Sequence, residues 1–215
     1  MQNEAWRGMT VTMKHYCVKK CTSALPCWES AVVLSDFSFP WEDKVAPATR
    51  FQALWDDERL YFRFECHDED LVLGTGATLK ERVLASDRVE IFLTPDLSLT
   101  AYFCFEMSPA GEALMYKAAF YRQVDWEWSC ESLKLEATRH PTGFTVEGSL
   151  ALQDLRDWGV LKPDATEFFA GVYRGEFSHL ADGTVKPGWM PWVSPGTERP
   201  DFHVPGSFGI FELVA

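Results

Sequence analysis

Two apolar runs that flank an acidic turn, between Phe51 and Asp70, constrain the fold of this chain more than any other feature. The turn is the acidic triplet 56–58, and the run after it has an apolar residue at every second position from Leu60 to Cys66. Successive side chains of a strand point to opposite faces, so an alternating run has one apolar face. The segment therefore predicts a β-hairpin that buries one face in a core.

The amount of apolar material sets the size of that core. The 215 residues are 47% hydrophobic, which is enough for one large core but is too evenly spread for a membrane-spanning helix. No repeat, low-complexity tract or change of composition marks a boundary. We therefore expect a single domain over residues 1–215.

The acidic balance of the chain limits its partners. Acidic residues outnumber basic ones by 32 to 20, and the formal net charge is −12. Such a surface repels phosphate backbones and anionic lipid headgroups, so we expect no nucleic acid and no membrane partner. A neutral sugar or a bound cation is compatible with this charge. The first 17 residues lack the apolar run of an export signal, which predicts a cytoplasmic location for the chain as given.

The remaining strand-like segments are short and closely spaced. Val89, Ile91 and Leu93 share one face, and residues 133–137 pair naturally with 144–148 across a Pro-Thr-Gly turn. Further strands are predicted over residues 11–18, 103–107, 113–116, 167–177 and 207–214.

Helical and loop signals are few. Residues 150–158 have helical spacing that stops at Gly159, and one helical turn is expected over 79–84. Residues 182–206, rich in Gly and Pro, are predicted to form a long loop. The fold predicted from these elements is an all-β antiparallel β-sandwich with one short connecting helix.

The six cysteines give no readable disulfide or metal pattern. They lie at positions 17, 21, 27, 66, 104 and 130, and Cys66 and Cys104 fall in apolar strands. Free core thiols are the favoured interpretation. The Cys-x3-Cys-x5-Cys spacing of the first three matches no recognised zinc site.

Two segments resemble the signature of family 9 carbohydrate-binding modules. Residues 55–61 match the W-D-x-x-x-L-Y hairpin of that family, and residues 87–90 match its acidic D-x-V-E strand. Residues 103–111 resemble the strand and turn that follow, and residues 192–209 resemble its closing segment. The matches keep the family's order and cover most of the chain.

The resemblance implies a fold, a ligand and two site residues. Members of the family are antiparallel β-sandwiches that bind plant-type oligosaccharides or polysaccharides, carry structural calcium and accompany glycoside hydrolases in carbohydrate catabolism. By this likeness, Glu90 matches the glutamate that holds sugar hydroxyls, and Phe202 matches the aromatic residue that stacks on a pyranose. Residues 80–86 lack the family's second stacking tryptophan, and an arginine expected on the next strand falls at or next to Cys104.

The residues themselves also predict a non-catalytic sugar site. Such a site combines flat aromatic surfaces with groups that exchange hydrogen bonds with hydroxyls. If the strands that carry Glu90 and Glu106 pair, these carboxylates lie side by side. The alternative is that the aromatic residues close one end of the sandwich. The predicted ligand-binding residues are Glu90, Tyr102, Glu106, Trp189, Trp192, Phe202 and His203. Trp126 and Trp128 would share one face of an extended strand, as an exposed platform or, as favoured here, a core pair.

Two other functions remain open. Glu90 and Glu106 could form the carboxylate pair of a glycoside hydrolase. Related sandwiches hold haem through methionine, histidine or lysine, although no spacing here specifies the ligands. The residue types for that role occur at Met107, Met115, Met190, His179 and His203.

A calcium site is predicted at the end of the first hairpin. Asp68 and Asp70 form an oxygen-rich cluster with Glu69, and Asp87 could complete it together with Asp96. The alternative is a solvated acidic turn.

Overall fold

The computed structural model describes residues 13–23 and 25–215, and this part of the chain contains twelve strands and two α-helices. No helix in these ranges is long and apolar enough to cross a membrane. The helices are α1 (Leu79–Leu84) and α2 (Leu152–Asp157). The strands are β1 (His15–Lys20), β2 (Thr49–Trp55), β3 (Arg59–His67), β4 (Arg88–Thr94), β5 (Tyr102–Met107), β6 (Ala113–Ala119), β7 (Gln123–Asp125), β8 (Lys134–His140), β9 (Gly143–Ala151), β10 (Glu167–His179), β11 (Val185–Pro191) and β12 (Gly209–Val214).

The strands form a β-sandwich, as predicted. Their hydrogen-bonded order is β7-β6-β5-β4-β10-β12-β1-β2-β3-β9-β8, with β11 paired to β10. Apolar side chains of β4, β5 and β10 pack with those of β2, β3 and β9 in one cluster, so the two halves of the path are the two layers. Strand β1 joins the layers, and it runs parallel to both of its neighbours, whereas the other strand pairs are antiparallel.

The alternating runs of the sequence place their apolar residues in this core. In β3, the alternate residues from Leu60 to Cys66 are buried, and Phe51 of β2 lies opposite Phe64. The hairpin of β8 and β9 aligns Ala137 with Val146, as the sequence predicted. The predicted strand over 11–18 corresponds to β1, although residues 11 and 12 lie outside the described part of the chain.

The helices lie where they were expected, but two strands were missed, β11 and the three-residue β7. A capping box between Thr78 and Glu81 starts α1, and α2 is followed by Gly159 at a φ of 72°. The loop predicted over 182–206 contains β11, which is a correction. Its prolines lowered the strand signal, but among the described strands β11 pairs with β10 alone and so lies at an edge, where proline is tolerated.

Strands β4 and β5 are buried on both faces. Their inner face belongs to the core, and their outer face carries a second cluster that includes Phe92, Tyr102 and Tyr116. Residues of α1 and of the segment 202–208 pack on this outer cluster. The outer face of β4, β5 and β6 therefore lies beneath a cover of irregular chain, which is where a cavity forms.

The six cysteines are free thiols, as predicted. Cys66 and Cys104 are buried in their strands, and burial raises the pKa of the Cys66 thiol to about 12. Cys17 and Cys27 are exposed.

Candidate functional site

A cavity of about 440 Å³ opens on the outer face of the layer that contains β4, β5 and β6. Its volume is in the range of small-ligand sites, roughly 300–1,000 Å³. The floor comes from β4, β5 and β6, and the walls come from α1, β7, β11, the turn between β6 and β7, and the segments after β7 and β11. The lining residues are Leu84, Arg88, Glu90, Glu106, Tyr116, Arg122, Val124, Trp126, Trp189, Pro200, Asp201, Phe202 and His203.

Three buried charged residues form the floor. Glu90 of β4 and Glu106 of β5 lie directly opposite each other in the antiparallel ladder. The Arg88 Nε atom lies 2.9 Å from Glu90 Oε1 and 2.7 Å from Glu106 Oε2. These contacts are close ion pairs but lack hydrogen-bond geometry. The Tyr116 hydroxyl donates a hydrogen bond of 2.7 Å to the other oxygen of Glu106.

Glu90 has hydrogen-bonding capacity to spare. Its side chain is 2% exposed, and its Oε1 accepts no hydrogen bond from any described residue. Burial, and next the neighbouring Glu106 carboxylate, raise the pKa of Glu90, although Arg88 acts in the opposite direction. Burial alone would lower the pKa of Arg88, but the two glutamates outweigh it and raise that pKa. A group with this unused capacity, at the base of a cavity, is available to a polar ligand.

Aromatic rings form the walls. Phe202 stacks on Tyr173 with ring centroids 4.2 Å apart, and Trp189 meets Phe202 edge-on at 6.0 Å. The segment that carries Phe202 is fixed to the sheet, because Tyr173 donates a hydrogen bond of 2.9 Å to the Ser207 hydroxyl, which in turn donates one of 2.6 Å to the Phe202 carbonyl. On the other side, Trp126 is 42% exposed and packs on Tyr116.

The rim is polar. Asp201 accepts hydrogen bonds from Arg122 at 2.9 Å and from the Tyr121 hydroxyl at 2.7 Å. Burial favours the neutral carboxyl, but these hydrogen bonds outweigh it and lower the pKa of Asp201. His203 Nδ1 lies 2.9 Å from the Tyr102 hydroxyl, and burial, together with Arg122, lowers the pKa of His203 to about 4. The imidazole is therefore neutral at pH 7.

The comparisons with known proteins agree with this architecture. The family model described as "Carbohydrate family 9 binding domain-like" matches residues 23–215. The chain belongs to this family. A comparison with curated proteins gives no match.

Solved structures share the fold of this family 9 domain at low sequence identity. A proposed carbohydrate-binding protein from Bacteroides uniformis is 20% identical, with a TM-score of 0.72 over 94% of this chain and 100% of that one. A family 9 module from Caldicellulosiruptor kristjanssonii in complex with glucose is 17% identical, with a TM-score of 0.59 over 94% and 96%. The complex of such a module from that organism with cellotriose is 16% identical, with a TM-score of 0.57 over 93% of each chain.

The cavity of this family 9 domain brings most of the predicted site residues together. Tyr102 lies just behind the lining, where its hydroxyl contacts His203. Trp192 is instead in the core, 3% exposed, with its ring 5.9 Å from that of Phe211. The predicted residues that line the cavity are Glu90, Glu106, Trp189, Phe202 and His203.

Several cavity residues were not among the predicted ligand-binding residues, although Trp126 was considered as part of an exposed platform. Arg88 lies within the D-x-V-E match itself and places a guanidinium at the floor. The arginine that the family likeness led us to expect on the next strand is replaced there by Cys104. Trp126 comes from the segment after β7 and supplies an indole that residues 80–86 do not. The favoured core pair of Trp126 and Trp128 is split, because Trp126 lines the cavity while Trp128 packs on Phe103 and Phe105 of the inner face.

The predicted calcium ligands face protein donors. Asp68 accepts a hydrogen bond of 2.9 Å from Arg174, and Asp70 contacts the His179 ring at 2.7 Å. Asp87 accepts backbone N–H groups at 2.6 and 2.7 Å, and burial raises its pKa to about 7. The described residues do not gather these carboxylates into a group that could share an ion. The three residues therefore do not fit a common calcium ion in this geometry, and calcium binding stays a prediction for titration and chelation.

The haem ligand types do not converge either. Met107 and Met190 are fully buried in the inner core. His203 lies on the outer face beside Tyr102, and His179 is exposed beside Asp70.

Proposed function

We propose that the cavity binds the end of a plant-type oligosaccharide or polysaccharide and that this binding is non-catalytic. The observation that carries the proposal is Glu90, a buried carboxylate with an oxygen that no described residue bonds, at the base of a cavity with tryptophans on two sides. The solved family 9 modules in complex with glucose and with cellotriose support a sugar of this class.

The chemistry of a pyranose fits each part of the cavity. Its axial C–H groups present an apolar face that packs on an indole ring, which Trp189 and Trp126 offer. Its hydroxyls exchange hydrogen bonds with a carboxylate at the base, and Glu90 accepts them without losing a protein partner. The rim groups Asp201 and His203 are positioned to orient the ring as it enters.

The floor supports binding over glycoside hydrolysis. A hydrolase needs one carboxyl group that gives a proton and a second that acts as base or nucleophile. Here both Glu90 and Glu106 are ion-paired to Arg88, and Glu106 also accepts the Tyr116 hydroxyl. Although burial raises the pKa of Glu90, the shared guanidinium ties both carboxylates to the floor and leaves neither free to act as base or nucleophile. By the family likeness, we also propose that this binding serves carbohydrate catabolism beside glycoside hydrolases.

A fluorescence titration tests the proposal. Tryptophan emission is followed against glucose and cello-, xylo- and manno-oligosaccharides for the parent, for Trp189→Ala and for Trp28→Ala. Trp28 is the control because it packs on a separate cluster with Leu54 and Tyr61 on the opposite layer. We expect saturable binding of one sugar class by the parent and by Trp28→Ala, and a loss of about tenfold or more in affinity for Trp189→Ala. No response to any sugar, or equal affinity for all three proteins, would contradict it.

A further inference from the structure

A histidine and two glutamates meet on the surface of three neighbouring strands. His15 lies on β1, Glu212 on β12 and Glu167 on β10, and these strands are adjacent in the sheet. One imidazole nitrogen and one oxygen from each carboxylate all lie within 4.8 Å of one another. Donors around a tetrahedral zinc ion, at about 2.0–2.1 Å from the metal, are about 3.4 Å apart. Small side-chain movements are enough to close the group around such an ion.

The two glutamates form a like-charge pair that no ion pair of the described residues neutralises. Glu167 and Glu212 are direct partners in the antiparallel ladder of β10 and β12. Like charges directly opposite each other destabilise a sheet. Among the described residues, neither glutamate forms an ion pair, and no side-chain hydrogen bond involves His15. The ladder therefore holds two carboxylates side by side, and no described residue supplies a positive charge to pair with them.

We propose that His15, Glu167 and Glu212 bind a divalent transition metal, with zinc as the ion. An imidazole nitrogen with two carboxylates is a donor set that suits zinc, whereas calcium takes six to eight oxygens. His15 and Glu167 are exposed and Glu212 is half-buried, so an ion reaches the group from solvent. The open coordination positions are filled by water.

The site is separate from the sugar cavity. Tyr173, which pairs with Glu90 at the cavity floor, lies six residues along β10 from Glu167. At about 3.3 Å per residue, the two sites are about 20 Å apart along that strand. A metal here ties β1, β12 and β10, and β1 is the strand that joins the two layers. Zinc therefore stabilises the fold and leaves sugar affinity unchanged.

Calorimetry with zinc chloride, after removal of metals by a chelator, tests the proposal on the full chain. All proteins carry Cys17→Ser and Cys27→Ser, because an exposed thiolate is itself a zinc ligand and Cys17 lies directly opposite Glu212 in the pairing of β1 with β12. The variants are His15→Ala, the pair Glu167→Gln with Glu212→Gln, and the control His140→Ala, which removes another exposed histidine. Calcium chloride serves as the second probe.

We expect one zinc ion per chain, a higher melting temperature with zinc than with calcium, and unchanged binding in His140→Ala. His15→Ala and the double glutamine variant lose about tenfold or more in zinc affinity. Because the substituted side chains are exposed, apart from the half-buried Glu212, we expect each variant to fold, and circular dichroism verifies this. Absence of zinc binding, or a zinc affinity in His15→Ala and in the double glutamine variant equal to that of the parent, overturns the proposal. The sugar titration is independent of this result.

Discussion

Two buried arginines on neighbouring strands show how the same side chain serves structure in one place and a ligand site in the other. Arg174 of β10 pairs with Val89 of β4, and Arg88 is the next residue along β4. Both are almost fully buried, but they point to opposite faces of their layer. Arg174 points between the layers, and Arg88 lies at the floor of the cavity.

The difference lies in their partners. Arg174 donates hydrogen bonds to the Thr49 hydroxyl, the His67 carbonyl and the Asp68 carboxylate, at 3.0, 3.0 and 2.9 Å. It thereby ties β10 to β2 and to the end of β3. Arg88 has two carboxylates for one guanidinium, and each of them keeps one oxygen, Glu90 Oε1 or Glu106 Oε2, that accepts no hydrogen bond from a described residue. A buried charge alone does not indicate a site, whereas a buried charge with spare hydrogen-bonding capacity beside a cavity does.

Removal of Arg174 is expected to have the largest effect. Arg174→Met leaves the buried Asp68 without its ion partner, so the free energy of unfolding should fall by about 3–5 kcal/mol. Urea unfolding measures this loss. Adding Asp68→Asn should restore part of it, and sugar affinity of the folded fraction should stay at the parent value. If Arg174→Met has the same free energy of unfolding as the parent, Arg174 does not have the structural role that distinguishes it from Arg88.

Glu90→Gln tests the other side of the comparison. The amide keeps the shape but loses the charge that accepts sugar hydroxyls, so affinity should fall by about 1.5–3 kcal/mol. Stability should stay level or rise, because the substitution removes the repulsion between Glu90 and Glu106. Calorimetry with the best sugar and urea unfolding supply the two numbers. If Glu90→Gln binds sugar with the parent affinity but has a lower free energy of unfolding, Glu90 serves stability, as Arg174 does, and not ligand binding.

Substitutions of Trp126 and Trp128 should have smaller effects, one on sugar affinity and the other on stability. Trp126→Ala removes an exposed wall of the cavity, and we expect affinity to fall by about 1 kcal/mol with little change in stability. Trp128→Phe, the control, alters only the inner face and should lower stability alone. Equal sugar affinity in Trp126→Ala and the parent would remove Trp126 from the binding surface.

The smallest effect is expected from the pH. The pKa of His203 is about 4 in the folded protein and about 6.5 in the unfolded chain, so the unfolded chain takes up the proton first as pH falls. His203 therefore costs no stability above pH 6.5, and stability is lost as pH falls from 6.5 towards 4. Between pH 7 and pH 5.5 the loss is about 1 kcal/mol. His203→Gln should remove this part of the pH dependence and His140→Gln should not, as urea unfolding at both pH values would reveal.

The sequence predicts what depends on local pattern and misses what depends on the path between strands. The hairpin of β2 and β3 and the adjacency of Glu90 and Glu106 follow from alternation and pairing alone. Residues two apart lie on the same face only in an extended strand. Strand β7 ends at Asp125, so this alternation does not apply to Trp126 and Trp128. Arg122 reaches the rim from a turn where its φ is 55°, a conformation that residue type does not predict.

The parallel pairing of β1 has a consequence for synthesis. Strand β1 near the beginning of the described chain is hydrogen-bonded to β12 near its end, and β12 also fills the place between β1 and β10. The sandwich therefore cannot close on the ribosome until residues 209–214 have emerged. Until then β1 and β10 each present an unpaired edge, which is the kind of surface that recruits other chains and chaperones. Strand β12, which is translated after the other eleven described strands, thus ends the period in which these edges of the nascent sandwich are open to aggregation.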